Sequence, residues 1–494
     1  MKKIKSLLLL CSVSLMFFGC GGDDGVSDNP TQNVELRNPI NNFTWKAMNS
    51  WYNWQDKVAN LDDTKDDNID TYYSYLNSFA TPNDLFESLI YQKGEVDRFS
   101  WFIEDYIEQE QQFQGTSTSF GFSPRGVRTS TNSIIMVVTH VSKNSPASEK
   151  GIKRGDIILG INGQTFNDSN YQTVAQGLYN DNAEFIFGEQ DGVTEKSRIS
   201  LTKRQVSDNP VHVTKVFNDV NGKKVGYLVY SGFRSSYDED LNNAFATFKS
   251  EGIQELILDF RYNGGGSVLS CGYLASMIYG EGTGQDVFAK TVYNSKHQDR
   301  GYTLPFLNGI FQYDAQGNYL QGQDIPLNRL TGISKIYVIT SSRTASASEM
   351  IINGLRPYIE VVTVGKKTYG KNVGSITLYD APASDYTDKS AANSSHKMAM
   401  QPITFQIFNK LDQSDYTQGF EPTIDLNEFA SWNNFLAFGD ENEVLLKAVL
   451  DNISGRSSRV QLSNDFVEVL PMKSENRFEN EMYFESNFVK NNFK

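Results

Sequence analysis

Two side chains and a run of glycines in this sequence have the chemistry needed for acyl transfer. Ser346 lies in the stretch TASASE, residues 344–349, and Lys371 follows it by twenty-five positions. A serine hydroxyl becomes a nucleophile when a base takes its proton, and a lysine can be that base where burial disfavours its charge. The glycines at 264–266 can offer backbone N–H groups to a developing oxyanion without a side chain in the way.

The residues alone leave other interpretations open. Ser346 can be an ordinary helix N-cap, and Lys371 can be a surface side chain. A glycine run can also bind phosphate, but the Walker pattern needs Gly-Lys-Ser/Thr, and Gly266 is followed by Ser267 and Val268. No histidine, the usual base for a serine, occurs in these three loops.

The elements around these loops indicate a common location. Apolar runs at residues 224–230, 255–260, 335–340 and 360–365 read as strands that alternate with helical patterns, which predicts a largely parallel sheet covered on both faces. The three loops follow the carboxyl ends of the last three strands, and such ends share one edge of a parallel sheet. Residues 347–355 predict a helix that begins directly after Ser346.

The composition limits the classes of partner. A chain of 494 residues predicts several domains, and a net charge of −14 argues against nucleic acid, whose phosphates would repel it. The four histidines are scattered along the sequence, and no His or Cys cluster has metal-ligand spacing, so we expect neither a metal nor an organic cofactor. They are His140, His212, His297 and His396.

The N-terminus resembles an export signal. Three lysines within the first five residues precede an apolar stretch at 7–18 and the pair Gly19-Cys20, which predicts a signal peptide over residues 1–19. A small residue followed by Cys is similar to a bacterial lipobox, which implies lipidation of Cys20 and a flexible tether over 20–42. We therefore expect a cell-envelope protein, lipid-anchored to the outer membrane on its periplasmic side or at the cell surface. The alternative is an ordinary signal peptide with an incidental Cys. If Cys11 leaves with the signal and Cys20 is acylated, Cys271 is left without a disulfide partner.

The middle of the chain resembles a PDZ domain. Residues 43–114 look helical and aromatic-rich, whereas residues 115–205 are rich in strands. Within the latter, Ser119-Phe120-Gly121-Phe122 and the stretch NSPASEKGIKRGDIILGINGQ, residues 144–164, carry the resemblance. It implies that the backbone of Ser119, Phe120, Gly121 and Phe122 binds the carboxylate of a peptide C-terminus. The alternative is a PDZ fold that binds no tail and only packs against its neighbour.

The remaining motifs are similar to those of the carboxyl-terminal processing peptidases, or tail-specific proteases. The resemblance rests on TASASE, on YGKN at 369–372, on DFRYNGGG at 259–266 and on FEP at 420–422. It implies that Ser346 is the nucleophile, Lys371 the base, and the N–H groups of Gly265 and Ala347 the oxyanion hole. Gly370 lets the lysine loop fit closely. Many members have a glutamine four positions after the lysine to hold it, and here that position is Ser375.

Together these observations predict a multidomain α/β protein. A helical region (43–114) and a PDZ domain (115–205) precede a crotonase/ClpP-like protease core (206–455) with a mostly parallel sheet and a C-terminal extension (456–494). The implied function is a lipid-anchored serine endopeptidase that acts on proteins or peptides with free C-terminal tails. A non-catalytic peptide-binding lipoprotein on the same fold is the alternative, and a crotonase-like acyl-transfer enzyme is a more distant one.

Overall fold

The computed structural model describes residues 33–129, 133–456, 467–468 and 480–492. The expected signal peptide, Cys20 and the first part of the tether lie outside these ranges. Within the ranges, none of the helices combines the length and the apolar character that crossing a bilayer requires.

The N-terminal region is helical, as the sequence predicts. Asn38 caps its first helix by accepting a hydrogen bond from the Ile40 N–H, and Pro39 occupies the first helical position. The buried rings of Trp45 and Trp51 pack into the same apolar cluster as the α/β core, so these helices form part of one body with that core. The elements are α1 (Pro39–Trp51), α2 (Ile69–Leu76), α3 (Pro82–Ser88), β1 (Trp101–Ile103) and α4 (Tyr106–Phe113).

A strand-rich domain follows, with one apolar cluster on each side of its sheet. The second cluster includes Phe429, Trp432 and Phe435, which belong to a later part of the chain, so this domain is docked on the core by apolar packing. The elements are β2 (Thr116–Ser119), β3 (Phe122–Arg128), β4 (Ile134–Val141), α5 (Pro146–Glu149), β5 (Ile157–Ile161), β6 (Gln164–Thr165), α6 (Tyr171–Ala175), β7 (Asn182–Gly188), β8 (Glu195–Thr202) and β9 (Arg204–Ser207).

The α/β core contains the predicted sheet. Its strands before the site are β10 (Val211–Val220), β11 (Lys223–Tyr230), β12 (Glu255–Asp259), β13 (Gly266–Ser267), β14 (Val287–Tyr293), β15 (Thr303–Pro305), β16 (Gly309–Ile310), β17 (Ile325–Pro326) and β18 (Lys335–Thr340). The later strands are β19 (Glu360–Gly365), β20 (Val373–Ser375), β21 (Leu378–Tyr379), β22 (Ala399–Gln401), β23 (Ile403–Phe408) and β24 (Ile424–Asp425). The helices are α7 (Asp238–Glu251), α8 (Val268–Ile278), α9 (Ala347–Leu355) and α10 (Val444–Ile453).

The strand order of the main sheet is β10-β11-β12-β18-β19-β24. All neighbours in it are parallel except β10 and β11, which are antiparallel. The prediction of a mostly parallel sheet is therefore confirmed. The carboxyl ends of β12, β18 and β19 lie side by side, as the site requires.

The described end of the chain is built into the core. Residues Val467–Glu468 form β25, which pairs antiparallel with β3 of the strand-rich domain. Met482–Tyr483 form β26, which lies between β13 and β20 in a second sheet, of order β13-β26-β20-β23-β14-β15. Helix α11 (Ser486–Asn492) buries Phe488 against the main apolar cluster. Of the extension expected over 456–494, residues 482–483 thus add a strand to the second sheet, and residues 486–492 pack as a helix on the core.

A buried charge network joins the strand-rich domain to the core. Arg261, 1% exposed, pairs with Asp259 at 2.7 Å, Glu443 at 2.7 Å and Glu428 at 3.0 Å. Arg154, from the strand-rich domain, reaches Glu428 at 3.3 Å. Such charges are tolerated in an interior only while they are paired.

Replacing Arg261 by Ala leaves buried carboxylates without their partner. We expect Arg261→Ala to lower the free energy of unfolding by about 3–5 kcal/mol, measured by urea denaturation. The control is Lys366→Ala, since Lys366 forms an exposed pair with Asp425 at 2.7 Å and its loss should cost less than about 1 kcal/mol. Equal effects of the two substitutions would contradict the importance of the buried network.

Candidate active site

The three predicted loops meet at one edge of the main sheet. The Ala345 N–H donates to the Asn263 carbonyl at 3.2 Å, and the Tyr369 N–H donates to the Thr344 carbonyl at 3.0 Å. The loop after β18 therefore lies between the loop after β12 and the loop after β19. Backbone hydrogen bonds of this kind fix the three loops relative to one another.

Ser346 has an unusual backbone conformation directly before α9. Its φ of 62° and ψ of −115° fall where side chains other than glycine are strained, by about 1–3 kcal/mol. The residue is fully buried, and its Oγ has no hydrogen-bond partner within the described chain. The hydroxyl therefore does not cap the helix, and its proton and lone pairs remain available.

Lys371 is fully buried beside this serine loop. Its Nζ donates to the Asn480 carbonyl at 2.7 Å, lies 3.5 Å from the Glu481 carboxylate and sits 4.6 Å from the centre of the Phe99 ring. Burial lowers the pKa of Lys371, and the negative charge of Glu481 partly opposes that effect. No hydrogen bond between Lys371 Nζ and Ser346 Oγ is formed in this state of the described chain.

Ser375 does not take the place of the expected glutamine. Its Oγ donates to the Met482 carbonyl at 3.2 Å and accepts from Gln401 Nε2 at 2.9 Å. The groups that hold the lysine side chain come instead from Asn480 and Glu481, more than a hundred positions along the chain. Ser375 thus helps fix strand β26, which begins directly after these two residues.

One carboxylate ties the serine loop to the lysine loop. Glu349 Oε2 accepts from the Ser346 N–H at 2.9 Å and from the Lys371 N–H at 2.8 Å. Its Oε1 accepts from the Gly370 N–H at 2.7 Å and from Thr368 Oγ1 at 2.6 Å. Gly370 has a φ of 91°, and a Cβ there would lie 2.4 Å from the Thr417 carbonyl oxygen, so only glycine fits at that point of the loop.

The two expected oxyanion donors lie next to each other. A Cβ on Gly265 would be 2.6 Å from the Ser346 Cβ and 2.9 Å from the Ala347 nitrogen. The Gly265 N–H, however, donates to Asn263 Oδ1 at 2.9 Å, and the Gly266 N–H donates to the Glu481 carbonyl at 2.6 Å. In this state the Gly265 N–H is thus already occupied.

A cavity of about 290 Å³ connects this site with the strand-rich domain. Three of the four predicted carboxylate-loop residues, Ser119, Gly121 and Phe122, line it, and so does Gly265. Phe120 points elsewhere, because its ring is buried against Phe185 in the domain interior. The cavity thus extends from the loop to Gly265, whose backbone lies next to Ser346.

Two of the four histidines that are scattered in the sequence come together in the structure. His140 and His212 are not scattered in space: their ring centres are 4.0 Å apart, and Asp208 lies beside them on the cavity wall. Burial lowers the pKa of His212 to about 3, and the neighbouring His140 adds to this effect. The sequence separation of these residues had hidden the cluster.

Sequence reasoning also missed four residues that contact the site. Glu349 could have been found, because a carboxylate at the third position of a helix is a known partner for the backbone at its start. Nothing in the local sequence marks Asn480 and Glu481, which reach Lys371 only through the folding of the chain's end. Phe99, from the N-terminal region, likewise had no signal beyond its aromatic character.

The chain matches the models of three protein families. Residues 224–407 match peptidase family S41, residues 39–101 match the peptidase S41 N-terminal domain, and residues 110–182 match the PDZ domain. A solved structure of a Bacteroides fragilis protein assigned to the S41 proteases superposes with a TM-score of 0.62 and 25% sequence identity. That likeness covers 84% of this chain and 97% of the other.

Two similar sequences have names that agree with these matches. A CtpA-like serine protease of Staphylococcus aureus is 23% identical over 330 residues, which is 65% of this chain and 60% of the relative's length. The chloroplastic carboxyl-terminal-processing peptidase 2 of Arabidopsis thaliana is 23% identical over 416 residues, 80% of this chain and 74% of the relative. The similarity thus spans less than two thirds of the staphylococcal relative.

The protonation of Glu349 should be visible in the pH dependence of stability. Burial raises the pKa of Glu349 to about 7, from an ordinary 4.5. Because the pKa is raised in the folded state, Glu349 contributes to the free energy of unfolding below pH 4.5, and this contribution is lost as the pH rises through 7. In the wild type, this group should lower the free energy of unfolding by on the order of 3 kcal/mol between pH 5 and pH 8. We expect this decrease to be absent from Glu349→Gln, measured by urea unfolding at the two pH values.

The control for this measurement is Glu421→Gln, since the Glu421 side chain is 73% exposed. Glu485, whose pKa is also raised to about 7 by burial, titrates in all the proteins and cancels in the comparison. An unchanged pH dependence in Glu349→Gln would contradict the assignment.

Proposed function

Because the chain belongs to peptidase family S41, we propose that it is a serine endopeptidase with Ser346 as nucleophile and Lys371 as general base. The main support is that two buried residues, Ser346 and Lys371, are held by the same Glu349 carboxylate. Ser346 carries a hydroxyl without a partner in the described chain, and Lys371 carries an amine whose pKa burial lowers. Glu349 holds the backbone of both.

In the proposed mechanism, neutral Lys371 takes the proton of Ser346 as the serine oxygen attacks a peptide carbonyl. Lys371 then gives this proton to the leaving amine, which departs and leaves an acyl-enzyme on Ser346. In the second half, Lys371 takes a proton from water as the water oxygen attacks the ester carbonyl, and it returns this proton to Ser346 Oγ as the acid product leaves. The lysine must first turn from the Asn480 carbonyl toward the serine, a rearrangement that substrate binding can supply, since catalytic hydrogen bonds often tighten only in the complex.

We assign the oxyanion hole to the N–H groups of Ala347 and Gly265. The Ala347 N–H belongs to the first turn of α9, where the helix dipole also favours negative charge. The Gly265 N–H becomes available once the Asn263 side chain releases it. The site therefore has a resting form and an active form that differ in this hydrogen bond and in the direction of Lys371.

We further propose that the PDZ domain captures unstructured C-terminal tails and feeds them along the cavity to Ser346. Two features support this. The loop residues Ser119, Gly121 and Phe122 line the same cavity as Gly265. Within the described residues, β25 pairs with the outer edge of β3 only at Val127 and Arg128, so the part of that edge nearer the loop can receive an extended segment by backbone pairing.

The place of action belongs to the same proposal. The export signal and Cys20 support a lipid anchor in the outer membrane of a bacterial cell, with the protease on the periplasmic side or at the surface. Exported proteins with flexible C-terminal ends are the substrates that this location offers. Detection of an acylated N-terminal Cys20 in the mature protein by mass spectrometry would test the anchor.

The catalytic dyad can be tested on an unfolded protein substrate. We expect Ser346→Ala and Lys371→Ala each to lower kcat/KM at least about a thousandfold, because each removes one half of the same proton transfer. Lys366→Ala, an exposed lysine five positions away, should stay within about twofold of the wild type. If all four proteins cleave alike, Ser346 and Lys371 are not the dyad. If none cleaves, the non-catalytic peptide-binding alternative is favoured.

Glu481 is proposed to position Lys371 and to set its pKa. Its negative charge raises the pKa of the lysine, so Glu481→Gln should move the acidic limb of the kcat/KM profile to lower pH. The rate rises with pH in both proteins, because the lysine acts only when neutral, and the midpoint should lie below the ordinary value of 10.5. A lower rate with an unmoved profile would indicate a purely structural role for Glu481.

Tail capture predicts a preference for a free C-terminus. A peptide substrate whose C-terminal carboxylate is converted to an amide should show a KM at least about tenfold higher, because a charge-assisted contact contributes about 1.5–3 kcal/mol. The control is acetylation of the same peptide at its N-terminus, which should leave KM unchanged. Equal KM values for the acid and the amide would contradict capture through the carboxylate.

A further inference from the structure

Three metal-ligating side chains meet on the wall of the cavity, away from Ser346 and Lys371. They are His140 on β4, Asp208 directly after β9, and His212 on β10. One ligand atom from each lies within 4.8 Å of the other two. Around a zinc ion, His nitrogens and carboxylate oxygens lie at about 2.0–2.2 Å, so small side-chain rotations bring all three into one coordination sphere.

The polar atoms of this cluster have few other partners. His140 Nε2 is buried and makes no hydrogen bond within the described chain, lying 3.5 Å from Asp208 Oδ1. A buried ring nitrogen without a partner carries a cost that a ligand would remove. His212 Nε2 lies 2.7 Å from Ser231 Oγ, which matches the way metal-bound histidines are held through their second nitrogen.

The types of ligand atom in His140, Asp208 and His212 indicate which kind of ion would bind. Two imidazoles and one carboxylate suit zinc and similar divalent transition ions, whereas calcium and magnesium prefer oxygen ligands. Lys143 and Arg234 lie near enough to disfavour a positive charge on His212. These positive charges weaken the binding of every cation, so the cluster needs an ion that bonds strongly to neutral imidazole.

We propose that His140, Asp208 and His212 bind a divalent zinc-type ion between the PDZ domain and the protease core. His140 belongs to the sheet of the PDZ domain, whereas His212 belongs to the main sheet of the core. A bound ion would therefore link the two domains at the wall of the cavity that Ser119 and Gly265 also line. Three protein ligands leave a fourth position open to the cavity. The inference goes beyond the proposed peptidase activity and does not depend on it.

The test is calorimetric titration of the full chain with zinc chloride, after purification without a polyhistidine tag. We expect the wild type to bind one equivalent, and His140→Ala and His212→Ala to bind at least about tenfold more weakly. The matched control is His396→Ala: His396 lies 3.2 Å from Asp380 but belongs to no comparable three-residue group in the described chain. It should bind zinc as the wild type does.

A second variant covers the case in which a histidine substitution unfolds the chain, as judged by circular dichroism. Asp208→Asn keeps the shape of the side chain and removes its charge, so it should weaken zinc binding while the fold persists. Zinc should also raise the thermal midpoint of the wild type and of His396→Ala, but not that of Asp208→Asn. A wild type that takes up no zinc, or an Asp208→Asn protein with unchanged affinity, would overturn the proposal.

Discussion

The arrangement of this site depends on the buried carboxylate of Glu349. Its two oxygens accept four hydrogen bonds, and two of the donors are the backbone N–H groups of Ser346 and Lys371. Ser346 has a backbone conformation with positive φ, which costs about 1–3 kcal/mol of strain. The hydrogen bond from its N–H to Glu349 helps hold it in this conformation. A side chain three positions into a helix thus fixes the backbone of the proposed nucleophile relative to that of the proposed base.

The rest of the fold encloses this carboxylate and the lysine. The N-terminal region contributes Phe99 over the lysine amine, and the end of the chain contributes Asn480 and Glu481 beneath it. Burial is what lowers the pKa of Lys371, so regions without catalytic side chains still control the chemistry. Asn480 and Glu481 directly precede strand β26, which is fixed between β13 and β20. The sheet architecture and the protonation state of the base are therefore linked.

Much of the fold followed from local patterns. The strands at 335–340 and 360–365 and the helix at 347–355 have the predicted bounds, because apolar runs and helical spacing are short-range signals. Convergence of three loops followed from the rule that parallel strands end at one edge. The partners of Lys371 and the cluster of His140, Asp208 and His212 could not be predicted, because they depend on contacts between residues far apart in the sequence. The occupied N–H of Gly265 likewise required the position of the Asn263 side chain.

The proposed mechanism requires that Lys371 can be a base because its pocket disfavours the charged amine. The most direct measurement is the pKa of this lysine, followed by NMR in protein carrying ¹³C-labelled lysine, with the signal identified by its absence in Lys371→Arg. We expect a half-titration clearly below the ordinary value of 10.5. A Lys371 that titrates at 10.5 or above would be charged throughout the working range, and would contradict its role as the base for Ser346.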